Sequence, residues 1–287
     1  MVLLLMAVLL TDGKYDKKAE QAWRAEREES MKGEDSWLNL AGLFWLKEGE
    51  NTFGTAEDRD IVLPPHTSVP KAGSLFVKGK EVTYKLSRGQ RGVVGDKTAN
   101  EGVWDVNQTL GHNNMRFILM ERGGKLVVRM RNLRSKTFAE FEKLKFYSPR
   151  RKFFVKATFE PYEEPEIITI GTAVNTEVEY LVPGVIKFKL NGQDLTLVPT
   201  LETMEDEHFW IMLKDQTAGK TTYGAGRFLY ASRPDENNKI ILNFNRIYNM
   251  PCAYTPFATC PLPPSDNWIP VSLEAGERKY HDKDPEH

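Results

Sequence analysis

The sequence predicts a mainly β protein: an N-terminal helix, a small β-sandwich, then a larger antiparallel β-sandwich or barrel. Three observations point there. Short apolar runs recur roughly every 8–12 residues between turn signals. Gly and Pro are scattered along the chain and aromatic content is 11%, a composition suited to many short strands joined by turns. One helical period stands out, near the N-terminus.

Val2 to Leu10 is a run of nine apolar residues, far short of the roughly 20 that a spanning helix needs. It has the apolar core of a secretory signal without the positive leader or a small-x-small cleavage site. The alternative is a first strand or an apolar tail. A secreted or periplasmic location is favoured over a cytoplasmic one. Asp12 to Lys32 reads as an amphipathic helix, with Tyr15, Ala19 and Trp23 on one face. Thr11 or Asp12 would cap it and Gly33 would end it.

Trp37 to Leu46 is too apolar for full exposure, so it is expected to be buried. Strands follow over Thr52–Gly54, Ile61–Leu63, Ser74–Val77, Val82–Leu86 and Gly92–Val94. A second series starts near Met115, after the turn at Gly111–Asn114. Its strands are expected at Met115–Met120, Lys125–Arg131, Phe153–Phe159, Ile167–Gly171, Val178–Val182, Gly184–Leu190, Gln193–Pro199, Phe209–Lys214, Gly226–Tyr230 and Lys239–Asn243. Asn191-Gly192 between Leu190 and Gln193 is a strong hairpin signal. Ser135–Leu144 is the one helical insertion. The resulting organisation is 1–33 leader and helix, 34–108 small sandwich, 109–278 larger β domain and 279–287 tail.

Charge removes one class of function. Against 40 Asp plus Glu stand 39 Lys plus Arg, a formal net charge of -1, so no electrostatic footprint for nucleic acid is present. The dinucleotide, Walker, nucleophile-elbow and zinc-protease motifs are missing, and no cofactor is implied. Cys252 and Cys260, with seven residues between them, could form a local disulfide or stay as buried thiols. Two thiolates without nearby histidines make a poor zinc site. Of the five histidines, His66 and His112 fall in turns. His208 follows Glu205-Asp-Glu207 at a strand start, where a solvated edge explains it better than a base or metal ligand.

The stretch from Thr221 to Pro264 is where a site is expected. If Leu242, Phe244 and Ile247 face a core, Asn243, Asn245 and Arg246 share the opposite face, with Arg227 on the preceding strand. Same-face neighbours on paired strands come within about 5 Å at Cβ. Arg227, Asn245, Arg246 and Asn249, joined by Tyr223 and Asp215, could therefore hold a small anionic molecule under the Pro-rich wall ending at Pro264. The alternative is a buried Arg and Asn network that satisfies the backbone of an irregular loop. A hydrolase using the same cleft, with Tyr223 or Asp215 as acid or base, and an extracytoplasmic interaction module are further readings. A protein partner is unspecified.

The strings Trp37-Leu-Asn-Leu-Ala-Gly-Leu-Phe-Trp-Leu46 through Gly54, Thr222-Tyr-Gly-Ala-Gly-Arg-Phe-Leu-Tyr230, and Pro251-Cys-Ala to Cys260-Pro-Leu-Pro-Pro264 resemble domain-of-unknown-function family 1684. The resemblance runs roughly from Trp23 to Glu277 and implies no activity. It adds some support to export, although no anchoring cysteine stands near the N-terminus. Glu50-Asn-Thr-Phe-Gly54 through Asp60-Ile-Val-Leu63 is similar to the opening of forkhead-associated domains. Thr55 stands where those domains usually carry a phosphothreonine-reading Arg.

Overall fold

In the computed structural model, residues 13–122 and 124–281 are described. The apolar run Val2–Leu10, the caps Thr11 and Asp12, and most of the tail lie outside them. The chain divides into two compact units, one of residues 32–141 and one of the N-terminal helix with 142–281.

The first unit is a sandwich. Its strands are β1 (Leu40–Trp45), β2 (Gly49–Gly54), β3 (Ile61–Val62), β4 (Gly73–Lys78), β5 (Glu81–Leu86), β6 (Gly92–Val94), β7 (Lys97–Ala99), β8 (Glu101–Val103), β9 (Thr109–His112), β10 (Met115–Arg122) and β11 (Lys125–Asn132). They form a six-stranded sheet, β1-β11-β10-β9-β6-β7, and a five-stranded sheet, β3-β2-β4-β5-β8. Phe53, Leu75 and Tyr84 of one meet Leu110, Phe117, Leu119 and Val128 of the other in a single core. Strand pairing moves the expected boundary. The turn at Gly111–Asn114 assigns Met115–Arg122 and Lys125–Asn132 to the second domain, yet β11 pairs with β1, so the division falls after residue 141.

Trp37–Leu46 is only partly buried. As the edge strand of its sheet, β1 alternates, and Trp45 is 44% exposed. The helical insertion shrinks to α2 (Lys136–Ala139), capped by the Ser135 hydroxyl, which accepts from Phe138 N.

In the second unit, α1 (Lys17–Ser30) starts later than its apolar period implies. Asp16 is held extended and its carboxylate accepts from Lys18 N, the geometry of an N-cap. Met31 rather than Gly33 caps the other end. Tyr15 precedes the helix and packs on Phe154. The strands are β12 (Phe154–Gly171), β13 (Glu177–Leu190), β14 (Gln193–Leu197), β15 (His208–Leu213), β16 (Arg227–Ser232), β17 (Lys239–Asn243) and β18 (Tyr248–Asn249).

Two pairs of expected strands are fused in β12 and β13. Pro161 and Pro165, which cannot donate to a ladder, fall where the register shifts between Pro161 and Glu166. The bulge absorbs them and pairing resumes beyond. The sheets β14-β13-β12-β17 and β15-β16-β18 are bridged by Leu201 against Leu181 and Thr200 against Trp210, which curls them into a half-barrel. Phe153, Ile186, Phe188, Phe209, Leu229 and Leu242 fill it. An extended C-terminal strap lies in the same core: Ile269, Val271, Leu273 and Ala275 are all buried there, at every second position. Ile269 N donates to Lys214 O and Gln216 N to Val271 O, which seats the strap beside the chain leaving β15. Among the described residues no helix is long and apolar enough to cross a membrane.

Candidate functional site

Arg227 opens β16 with its side chain 1% exposed. Its Nη2 donates to Asp215 Oδ2 at 2.8 Å and to Leu273 O at 3.0 Å; its Nη1 donates to Ala275 O at 2.5 Å and Glu277 O at 3.0 Å. The three carbonyls are alternate ones on the strap. Leu273 O also accepts from Ala275 N, but without a side-chain donor the Ala275 and Glu277 carbonyls would be buried unsatisfied. Arg227 satisfies all three at once. Asp215 Oδ1 completes the arrangement by accepting from Leu273 N, Thr217 N and Thr217 Oγ1.

The Asn-x-Asn-Arg group works in the same way against other segments. Asn245 is fully buried; it accepts from Arg150 N at 2.8 Å and donates to Arg150 O at 3.1 Å. Arg246 Nε donates to Glu20 Oε2 on α1 at 3.1 Å, and Asn243 Nδ2 to Glu20 Oε1 at 2.8 Å. Asn249 Nδ2 donates to Arg278 O, while its N–H goes to Glu277 Oε2 at 2.7 Å. Glu277, fully buried, also accepts from Arg27 Nε of α1 and from the Tyr254 hydroxyl, both at 2.8 Å. Burial and the Glu277 charge push the Tyr254 hydroxyl well above the ordinary tyrosine range. Tyr223 is buried as well.

The structure pairs Arg227 with Asp215 and sets it opposite Asn249, while Asn245 and Arg246 turn to Arg150 and Glu20; these five have internal partners, and Tyr223 is buried. The satisfied backbone is mainly that of the 273–278 strap rather than the Pro-rich loop. Arg227 offers neither Nη to an external anion. The partners Glu20, Arg27 and Glu277 were not among the expected residues. For Glu20 and Arg27 one signal was available: acidic and basic residues on the Trp23 side of an amphipathic helix. Cys252 and Cys260 are buried thiols here, not a disulfide; Cys252 N donates to Cys260 Sγ at 3.2 Å and Cys252 Sγ–H to Ala258 O.

The Pro-rich tract does wall a cleft, on another side. Leu262, Pro263 and Pro264 face Tyr162, Ile168 and Ile170 of β12 and Val182 of β13 across a volume of about 280 Å³. Among the described residues, Glu166 and Asp266 are its charged lining residues, and no Lys or Arg lines it. Burial, with the neighbouring Glu166 and Asp266 carboxylates, raises the Tyr162 hydroxyl above its ordinary range. The wall is held from both ends. Trp268 Nε1 donates to Pro263 O at 3.1 Å, and Gly226, at φ +120°, leaves room for Pro263 where a Cβ would come within 2.6 Å of its Cγ.

Fold and site together define a two-unit β protein: a sandwich, and a half-barrel whose helix and strap are tied by buried ion pairs. Residues 139–278, just under half of the chain, match the family described as "Protein of unknown function (DUF1684)". The matched region covers the half-barrel and strap, and is shorter than the Trp23–Glu277 span of the sequence resemblance. Among solved structures, the chain is similar to an uncharacterized protein of Haloarcula marismortui, with 30% identity, TM-score 0.43, 50% of this chain and 80% of that one covered. It is also weakly similar to the FHA-2 domain of a Mycobacterium tuberculosis ABC transporter, with 20% identity, TM-score 0.24, and 29% and 77% covered. No curated protein matches.

Proposed function

We propose that the protein binds a small organic cation in the cleft between β12 and the Leu262–Pro264 wall. One observation carries this reading: apolar walls from two proline-rich and aliphatic segments converge on Glu166 and Asp266, with no basic residue among the described lining residues. Small-molecule sites are concave and mostly apolar, with a few polar groups that fix orientation. The volume of about 280 Å³ lies just under the roughly 300 Å³ at which such sites begin. It suits a molecule of a few heavy atoms or one end of a larger one. The neutral Tyr162 hydroxyl is a further donor or acceptor for it. This reading keeps a small-molecule partner and exchanges an anion for a cation, because the Arg227 Nη atoms that would hold an anion donate to Asp215 and the strap.

Calorimetric titration with a panel of amines, quaternary ammonium compounds and matched carboxylates tests it. Saturable heat is expected with cations and lost in a Glu166→Gln, Asp266→Asn double variant that keeps its melting temperature. Binding of carboxylates alone, or cation binding that the double variant retains, overturns it.

A further inference from the structure

The first unit holds a serine and a histidine in the arrangement of an activated nucleophile. Ser68 lies in the loop between β3 and β4, partly exposed, and His112 ends β9 with 1% exposure. The Ser68 Oγ is 2.7 Å from His112 Nε2, and His112 Nδ1 is 3.0 Å from the carbonyl oxygen of Arg91. A carbonyl only accepts, so the proton sits on Nδ1, and Nε2 presents its lone pair to the Ser68 hydroxyl. Asn113 Nδ2, 3.4 Å from Nε2, agrees with this tautomer. The ring is fixed further by Phe53, packed edge-on at 6.4 Å between centroids. A hydroxyl held by an oriented neutral imidazole is the pairing that nucleophilic catalysis requires; here a backbone carbonyl orients the base where a carboxylate often does.

Among the described residues, neither the Ser68 nor the Val69 backbone N–H has a protein acceptor, so amides beside the nucleophile are available to a developing oxyanion. Val69 follows Ser68 at 37% exposure. An exposed aliphatic side chain therefore stands next to the hydroxyl along the chain.

We propose that Ser68 is a nucleophile with His112 as its base, acting on small carboxylic esters with an apolar acyl group. The Ser68 oxygen bonds to the acyl carbon as its proton passes to His112 Nε2. The ester C–O bond then breaks, and the imidazolium gives the proton to the departing alcohol. Water, deprotonated by the same imidazole, releases the acid and restores Ser68. This site is independent of the cation cleft.

An alkyl fluorophosphonate on the full chain tests it, because the probe forms a Ser Oγ–P bond with loss of fluoride. Peptide mass spectrometry is expected to place the adduct on Ser68, with none in Ser68→Ala. His112→Gln should slow labelling at least ~100-fold, the low end of general-base contributions. Should His112→Gln fail to fold, Ser68→Cys serves instead. Its thiol is expected to alkylate with iodoacetamide at pH 6, well below the roughly 8.5 of an ordinary cysteine. No Ser68 adduct under conditions that saturate a control esterase overturns the proposal. Equal labelling of folded His112→Gln does so too, as does a Ser68→Cys thiol that reacts only near the ordinary cysteine value of roughly 8.5.

Discussion

Arg227 and Asp215 form an ion pair of 2.8 Å in which both side chains are almost wholly excluded from solvent, at 1% and 2% exposure. The pair ties the start of β16 to the chain beyond β15, and through shared bonds to Leu273, both partners also grip the strap. Removing either leaves a buried charge and unsatisfied strap groups, a loss of about 3–5 kcal/mol. Arg227→Ala should show it in urea unfolding. Where that variant still folds, cation binding in the cleft should survive, since Arg227 does not line it.

Glu277 joins the strap to α1 through Arg27, with Tyr254 and Asn249 N as its other donors. Glu277→Ala strands the Arg27 guanidinium, itself 1% exposed. A stability loss of about 3–5 kcal/mol is expected. Amide exchange should rise most in the second half of Lys17–Ser30, because α1 loses the buried anchor at Arg27 while Glu20 keeps Arg246 and Asn243.

Stability should fall at both ends of the pH range. Asp60 is held well below the usual carboxylate range by Lys47, which donates to it, and by Thr52 N and Oγ1. With the folded pKa depressed, its contribution is complete above the unfolded value of about 3.9 and is lost as pH falls below it. Asp60→Asn should flatten the acid limb of a melting-temperature profile. Tyr248 and Tyr254 are raised by burial. Their contribution is full below the unfolded value of about 10 and fades as pH climbs toward the raised folded values. Tyr254→Phe should soften the alkaline limb at some cost near neutrality.

Gly226→Ala tests the wall of the cleft. The new Cβ would meet Pro263 Cγ at 2.6 Å and Leu213 O at 2.8 Å, in a backbone conformation that side chains rarely adopt. A loss of roughly 1–3 kcal/mol is expected from strain of this kind. Cation affinity should fall with it as Pro263 is displaced, which calorimetry on the folded variant would record.

Much of the local structure is legible because its causes are local. Asn191-Gly192 marks the β13–β14 turn, and both residues have positive φ, 49° and 82°, as a two-residue hairpin of this type demands. The apolar run at Met115 reads correctly as a strand and falls to the wrong domain, since a strand's period says nothing about its pairing partner. The same limit explains Ser68 and His112. They are 44 residues apart, with no motif linking them, and each looks ordinary in its own turn.

By itself the sequence pointed to most of the longer strands, the Asn191-Gly192 turn, the N-terminal helix and a polar cluster along the chain of Asp215, Tyr223, Arg227, Asn245, Arg246 and Asn249, because periodicity and turn chemistry act over a few residues; the short strands β7, β8, β9 and β18 were not legible. Tertiary structure alone decided what that cluster does. The return of the strap past Arg227, and of α1 past Arg246 and Glu277, supplied partners for the buried donors from distant parts of the chain. Burial without water makes such partners obligatory, and only the completed fold shows which carbonyls and carboxylates arrive to meet them.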